Sequence, residues 1–144
     1  MRAILRKQFG GPDVLEIREI PAPEPKVGHA VIQVKAFGIN HAEMHMRKGE
    51  WAEIADVSGI ECVGLVKSCP GGEFAVGTKV AALMGGLGRT INGSYAEYTR
   101  APVATSRRSS RNFRGPSWRR SRRPTPPRGP VCSAIWRSPE ARRW

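Results

Sequence analysis

Side chains able to do chemistry are sparse in the first hundred residues of this 144-residue chain, and crowded but of one type in the last forty-four. Three cysteines, Cys62, Cys69 and Cys132, form no CxxC pair and no ligand cluster. That spacing argues against a structural zinc site or a disulfide framework and fits a reducing compartment. Cys62 lies in an apolar run, which makes it inert core rather than a reactive thiol. Its neighbour Glu61 has no obvious partner and reads as a hydrogen-bonded structural carboxylate rather than a general base. Asn40, followed three residues later by Glu43, suits a helix N-cap with a capping box. In the last segment the chemistry is that of guanidinium. Runs such as Ser106-Arg107-Arg108-Ser109-Ser110-Arg111 and Arg119-Arg120-Ser121-Arg122-Arg123, interleaved with Trp, could neutralise phosphates and stack on bases.

The charge divides at the same place. Residues 1–100 carry 12 Lys+Arg and 11 Asp+Glu, a net of +1, whereas residues 101–144 carry 12 Arg and the single acid Glu140, a net of +11. A chain of this length has room for one domain and a tail. No stretch approaches the roughly 20 apolar residues that a membrane-spanning helix needs. The charges within Met1 to Lys7 are unlike a signal peptide. A cytoplasmic origin without a membrane partner is expected.

The elements that must position these groups are mostly short strands. Ala3 to Leu5 and Val14 to Ile20 read as strands joined by the turn cluster Phe9-Gly10-Gly11-Pro12-Asp13. Pro21, Pro23 and Pro25 make a stiff connector, because proline fixes φ and has no N–H. Val31, Val34 and Ala36 alternate with Gln33 and Lys35 in a strand that runs up to Phe37-Gly38. A short helix over His41 to Lys48 follows, with Gly49 as its stop. Trp51 to Val57 is ambiguous. Ser58 to Lys67 is a strand bent or closely approached at Gly59 and Gly64. Lys79 to Met84 is a strand, Gly85-Gly86-Leu87-Gly88 a mobile loop, and Ser94 to Thr99 a further alternating strand. The sum is a mostly β barrel with one or two short helices.

The segment MRAILRKQFGGPDVLEIREIPAPEPKVGHAVIQVKAFGINHAEMHMRKG resembles the start of medium-chain dehydrogenase/reductases, and so do SGIECVG and GTKVAALMGGLGRTINGSYAEY. Within that superfamily it is similar to the zinc-independent NADPH:quinone oxidoreductase branch. The resemblance covers residues 1–102 and implies a GroES-like domain, incomplete here. In the family a Rossmann domain with the NADPH site follows, and a final segment returns to complete the catalytic domain. No GxGxxG or comparable turn follows residue 100, so the chain reads as truncated, binding NADPH poorly by itself and inactive alone. Unpaired barrel edges would favour self-association. Zinc-dependent members resemble G-H-E where this chain has Gly59-Ile60-Glu61, and carry a Cys where it has Phe37-Gly38-Ile39-Asn40. A catalytic zinc takes three protein ligands, so no zinc is expected.

The resemblance also assigns roles. Asn40 matches a turn that lies beside the nicotinamide in the family, while the N-cap role asks for the same residue. His45 and Trp51 fall where relatives often carry groups that face the substrate. His45 could donate a proton to a developing oxyanion, and an exposed helix histidine beside a packing tryptophan is the plainer reading. Arg47 and Lys48 have reason enough to sit at a helix end. Met84, Gly85 and the residues up to Thr90 resemble the rim of the substrate cleft, and equally a surface hairpin. The implied chemistry is hydride transfer from NADPH to a quinone or activated alkene.

Residues 103–144 read differently. Beyond residue 100 there is no Leu, Tyr, Lys, Asp, Met, Gln or His, and seven of the chain's twelve Pro fall there. Such a segment is expected to be disordered and to bind polyanions non-specifically. Arg, Pro, Ser, Ala and Gly without Lys or Leu is also what a GC-rich gene yields out of frame. From Trp118 on, permissible codons read in the neighbouring frame can spell LAAIPETYATAWSCLFGNLEIARGQTL, which resembles the quinone-oxidoreductase continuation. A one-base frame change near residues 101–106 accounts for that. Nucleic-acid binding through the Arg-rich tail and a β-domain interaction module are the alternatives to a reductase fragment.

Overall fold

The computed structural model describes residues 1–110. The chain opens with a hairpin: β1 (Arg2–Arg6) pairs antiparallel with β2 (Leu15–Glu19), Ile4 opposite Ile17. A 3-10 turn at Pro12–Val14 joins them, with proline in its first turn, where a missing N–H costs nothing. Five further strands form one antiparallel sheet: β3 (His29–Ala36), β4 (Glu61–Ser68), β5 (Lys79–Leu83), β6 (Tyr98–Pro102) and β7 (Ser106–Arg108), in the order β6-β3-β4-β5-β7. Register shifts between Val31 and Ile32 and between Val34 and Ala36 break the β3–β4 ladder, and such irregularities bend a strand and increase its twist.

The core follows from alternation. Cys62 and Val66 of β4, Val80 and Ala82 of β5, and Ala30, Ile32 and Val34 of β3 are buried together with Leu87 and Ala101. A second cluster, Ala3, Val57, Tyr95 and Ala96, lies where the hairpin meets the body of the domain. Single bridges from Ala3 to Ala96 and from Leu5 to Val57 hold it there. The Met1 ammonium group closes the hairpin by donating to the Ile20 carbonyl at 2.7 Å.

One helix, α1 (His41–Lys48), interrupts the strands where the capping signals place it. Gly49 ends it at φ 85°, a left-handed conformation that favours glycine.

Two sequence expectations need correction. The last alternating segment pairs later than its pattern suggests: β6 is Tyr98–Pro102, and Ser94 to Glu97 run up to it through single bonds such as Ile4 N–H to the Tyr95 carbonyl, 2.8 Å. A disordered tail from residue 103 is also drawn too early. Val103–Thr105 form a 3-10 turn and Ser106–Arg108 pair with β5, Ser106 opposite Ala82. Backbone pairing is indifferent to exposed arginine side chains, and only Ser106 of the three is buried. The expected out-of-frame segment from Trp118, and the disorder and polyanion binding expected of residues 111–144, lie outside the described residues.

Candidate functional site

The site is organised from the N-terminus of α1 outward. Glu43, 4% exposed, is the hub. Its carboxylate accepts the Asn40 backbone N–H at 2.8 Å, the Ile60 backbone N–H at 2.9 Å and the Tyr95 hydroxyl at 2.5 Å. A buried carboxylate is tolerated where hydrogen bonds replace water, and these three do so. They also join three separate segments: the turn entering α1, the start of β4 and the strand-like run at Tyr95. Burial, then the bond to Glu43, pushes the Tyr95 phenol well above its ordinary range, because ionising it would set two negative charges together. Tyr95 therefore acts as a fixed donor. Its ring stacks obliquely on Phe37, centroids 4.6 Å apart.

Asn40 leads directly from this hub. Its backbone N–H is held by Glu43, and its side-chain amide donates to Glu61 Oε1 at 3.3 Å. The Glu61 carboxylate lies across Gly38, where a Cβ would stand 1.9 Å from Oε1. Gly38 is what lets the carboxylate reach Asn40. Glu61 thus has the structural partner expected of it, and its backbone carbonyl accepts the Ser94 hydroxyl at 2.6 Å. Cys62 is buried and its thiol is pushed up to about 12, chiefly by desolvation, so it is inert core.

Ile60 ties the hub to the glycine loop. Its carbonyl accepts the Met84 N–H at 2.7 Å. Met84 is 43% exposed and holds φ 61°, the one described non-glycine residue with positive φ. Gly85 packs against the turn at Val103–Thr105, where a Cβ would lie 2.3 Å from Thr105 Oγ1. Its place is therefore fixed by packing as well as by the loop.

The other side of the site is open. His45, half-exposed, pairs through Nδ1 with the Glu50 carboxylate, and that bond holds Glu50 below the usual carboxylate range. An ionised carboxylate only accepts, so Nδ1 carries the proton and Nε2 is left as the free ring nitrogen. Trp51 lies under the Arg89 guanidinium, 5.4 Å from the ring centroid, and Arg89 also donates to Glu53 at 3.2 Å. Asn40 and Met84 are thus joined to one framework through Glu43 and Ile60, whereas the side-chain partners of His45 are Glu50 and His41 and that of Trp51 is Arg89. A groove of about 440 Å³, lined by Asp56, Arg89, Asn92, Tyr98 and Arg100 among others, takes in Arg89 and Thr90 at the end of the expected rim and adjoins Trp51 through Arg89, but is not lined by Asn40, His45, Trp51, Met84 or Gly85. Sequence reasoning did not find the Tyr95–Glu43 bond, which spans 52 positions, or the Arg89–Trp51 contact. The capping-box spacing signalled Glu43; nothing periodic signals its partners.

At the position of the zinc-type histidine stands Ile60, 8% exposed. Among the described residues no group of three or more His, Cys, Asp or Glu is placed to hold a metal ion, and no helix is long and apolar enough to cross a membrane.

A bent antiparallel sheet, a terminal hairpin and one capped helix define a GroES-like partial barrel. Residues 26–107 match the alcohol dehydrogenase GroES-like domain. The chain belongs to that family, in the quinone-oxidoreductase-like branch of the medium-chain dehydrogenase/reductase superfamily. It is 34% identical over 109 residues to a human quinone oxidoreductase, a match covering 70% of this chain and 31% of the relative. The quinone oxidoreductase from Coxiella burnetii superposes with a TM-score of 0.67 at 26% identity, over 75% of this chain and 36% of that one. A mycobacterial protein solved in complex with NADPH gives 0.66 at 30% identity, over 76% and 32%. The chain thus spans about a third of the length of the relatives it matches.

Proposed function

We propose that this domain forms the substrate side of an NADPH-dependent reductase of quinones or activated alkenes, in a cytoplasmic setting. The observation that carries the reading is the framework at Asn40: a residue held at its backbone by Glu43 and at its side-chain amide by Glu61. The donor set suits a nicotinamide: the Asn40 amide is oriented by Glu61, and its carboxamide oxygen, which accepts the Glu43 N–H in the capping box, has a second lone pair for a further donor. NADPH, when bound, supplies the hydride. The chain's own residues then bind and orient. Asn40 holds the nicotinamide edge, Trp51, Met84 and Gly85 border the acceptor, and His45, after taking a proton from solvent on Nε2 while Nδ1–H stays on Glu50, delivers the Nε2 proton to the oxygen on which charge develops. No zinc takes part on this reading, because Ile60 has no donor atom where zinc-dependent relatives use histidine.

The family resemblance implies that the NADPH site lies in a further domain, so residues 1–108 by themselves are expected to show no NADPH turnover. The test is a fusion of residues 1–108 to the remaining segment of the Coxiella burnetii quinone oxidoreductase, assayed for quinone-dependent NADPH oxidation. Turnover that falls at least tenfold in Asn40→Ala supports the reading. A fusion that folds and binds NADPH yet leaves quinone unreduced contradicts it.

A further inference from the structure

We propose that His41 and His45 form a binding site for one borderline divalent metal ion, of the Zn²⁺, Ni²⁺ or Cu²⁺ class, on the exposed face of α1. The two histidines are four residues apart on a regular helix, so they lie one above the other on one face. Their ring centroids are 4.8 Å apart at an interplanar angle of 67°, close enough for one ion to bridge the two imidazoles. His41 is exposed and can turn its ring without displacing packed atoms.

The carboxylate of Glu50 sets the chemistry. By accepting from His45 Nδ1 it fixes the tautomer that leaves Nε2 as a ligand atom, and a carboxylate behind a ligating imidazole raises its basicity. The chain reversal at Gly49 is what brings Glu50 back: the Glu50 N–H donates to the His45 carbonyl at 3.1 Å. Glu50 faces the ring rather than the ion, so the site has two protein ligands and water completes the shell. That is fewer than the three or four of catalytic and structural zinc sites, and it is distinct from the zinc position at Ile60. Imidazole suits Zn²⁺, Ni²⁺ and Cu²⁺ and not Mg²⁺ or Ca²⁺. Lys48, which lies near Glu50, and the helix N-terminus weaken cation binding, so the affinity should be moderate. The ion takes His45 Nε2, so metal binding and proton donation from that atom exclude each other. The site itself needs only α1 and Glu50, and it stands or falls apart from the reductase reading.

The test is a titration of the full chain with Zn²⁺, following the imidazole protons of all three histidines by NMR, with Mg²⁺ as control. His41 and His45 should shift together with one midpoint while His29 stays still. His41→Gln and His45→Gln should each weaken binding at least tenfold, and Glu50→Gln by about tenfold, the lower end for loss of a second-layer partner. Separate midpoints for the two rings, an equal response from His29, or unchanged affinity in His41→Gln would overturn the proposal.

Discussion

Glu43 and His45 stand two residues apart on α1, and their surroundings are opposite. Glu43 is buried and accepts from a turn, a strand and a tyrosine. His45 is half-exposed, and its side chain meets only Glu50, five residues away, and the ring of His41, four residues back. The first constellation joins segments distant in sequence, and its loss should be felt in stability. The second is local and exposed, and its loss should be felt in binding. On the proposed reading the helix separates architecture from chemistry.

The largest expected effect breaks the buried side. Glu43→Ala leaves the Asn40 N–H, the Ile60 N–H and the Tyr95 hydroxyl without an acceptor. At about 1–3 kcal/mol for each unsatisfied buried donor, partly relieved by water entry, a loss of about 3–5 kcal/mol is expected in chemical denaturation. Tyr95→Phe removes one donor and keeps the ring on Phe37, so about 1–2 kcal/mol is expected.

A pH experiment sharpens the same point. The Tyr95 phenol is raised above its ordinary value of 10.0 in the folded state. Its contribution is then fully present below pH 10 and lost as pH rises, because the unfolded chain releases the proton first. Stability should decline above about pH 10 in the native sequence and decline less in Tyr95→Phe. Glu97 has the opposite sign. The Arg2 backbone N–H, then its side chain, holds the carboxyl below its ordinary value of 4.5. Stability from that pair is present above 4.5 and lost as pH falls through the lowered value, and Glu97→Gln should flatten the acid limb.

The smallest stability effects belong to the exposed side. Trp51→Ala and His45→Gln remove no fully buried group, so changes within about 1 kcal/mol are expected. If either cost as much as Glu43→Ala, the division between the two sides of α1 would fail.

Local chemistry made α1 readable: Asn40, Glu43 and Gly49 state its bounds within ten residues. Alternation likewise exposed β3, and apolar runs bounded by glycines exposed β4 and β5 to within a few residues. What pattern could not convey is pairing. Ser94 to Thr99 alternates, yet the ladder with β3 begins at Tyr98, because the bonds are set by the partner strand. β7 carries no apolar pattern and exists through β5. Of the candidate residues, Asn40 was readable as the N-cap and Glu61 as a structural carboxylate, while the substrate roles of His45 and Trp51 were assigned by resemblance alone. The meeting of Glu43 with Tyr95 required the fold.

The most direct test is an NMR titration of the full chain with a soluble quinone. The amide and side-chain signals of Asn40, the His45 ring and the Trp51 indole should move with one midpoint, while the β1–β2 hairpin and the groove at Tyr98 and Arg100 stay unchanged. Movement confined to the hairpin or the groove, or none at saturating quinone, would contradict the assignment of the open side of α1 to the substrate.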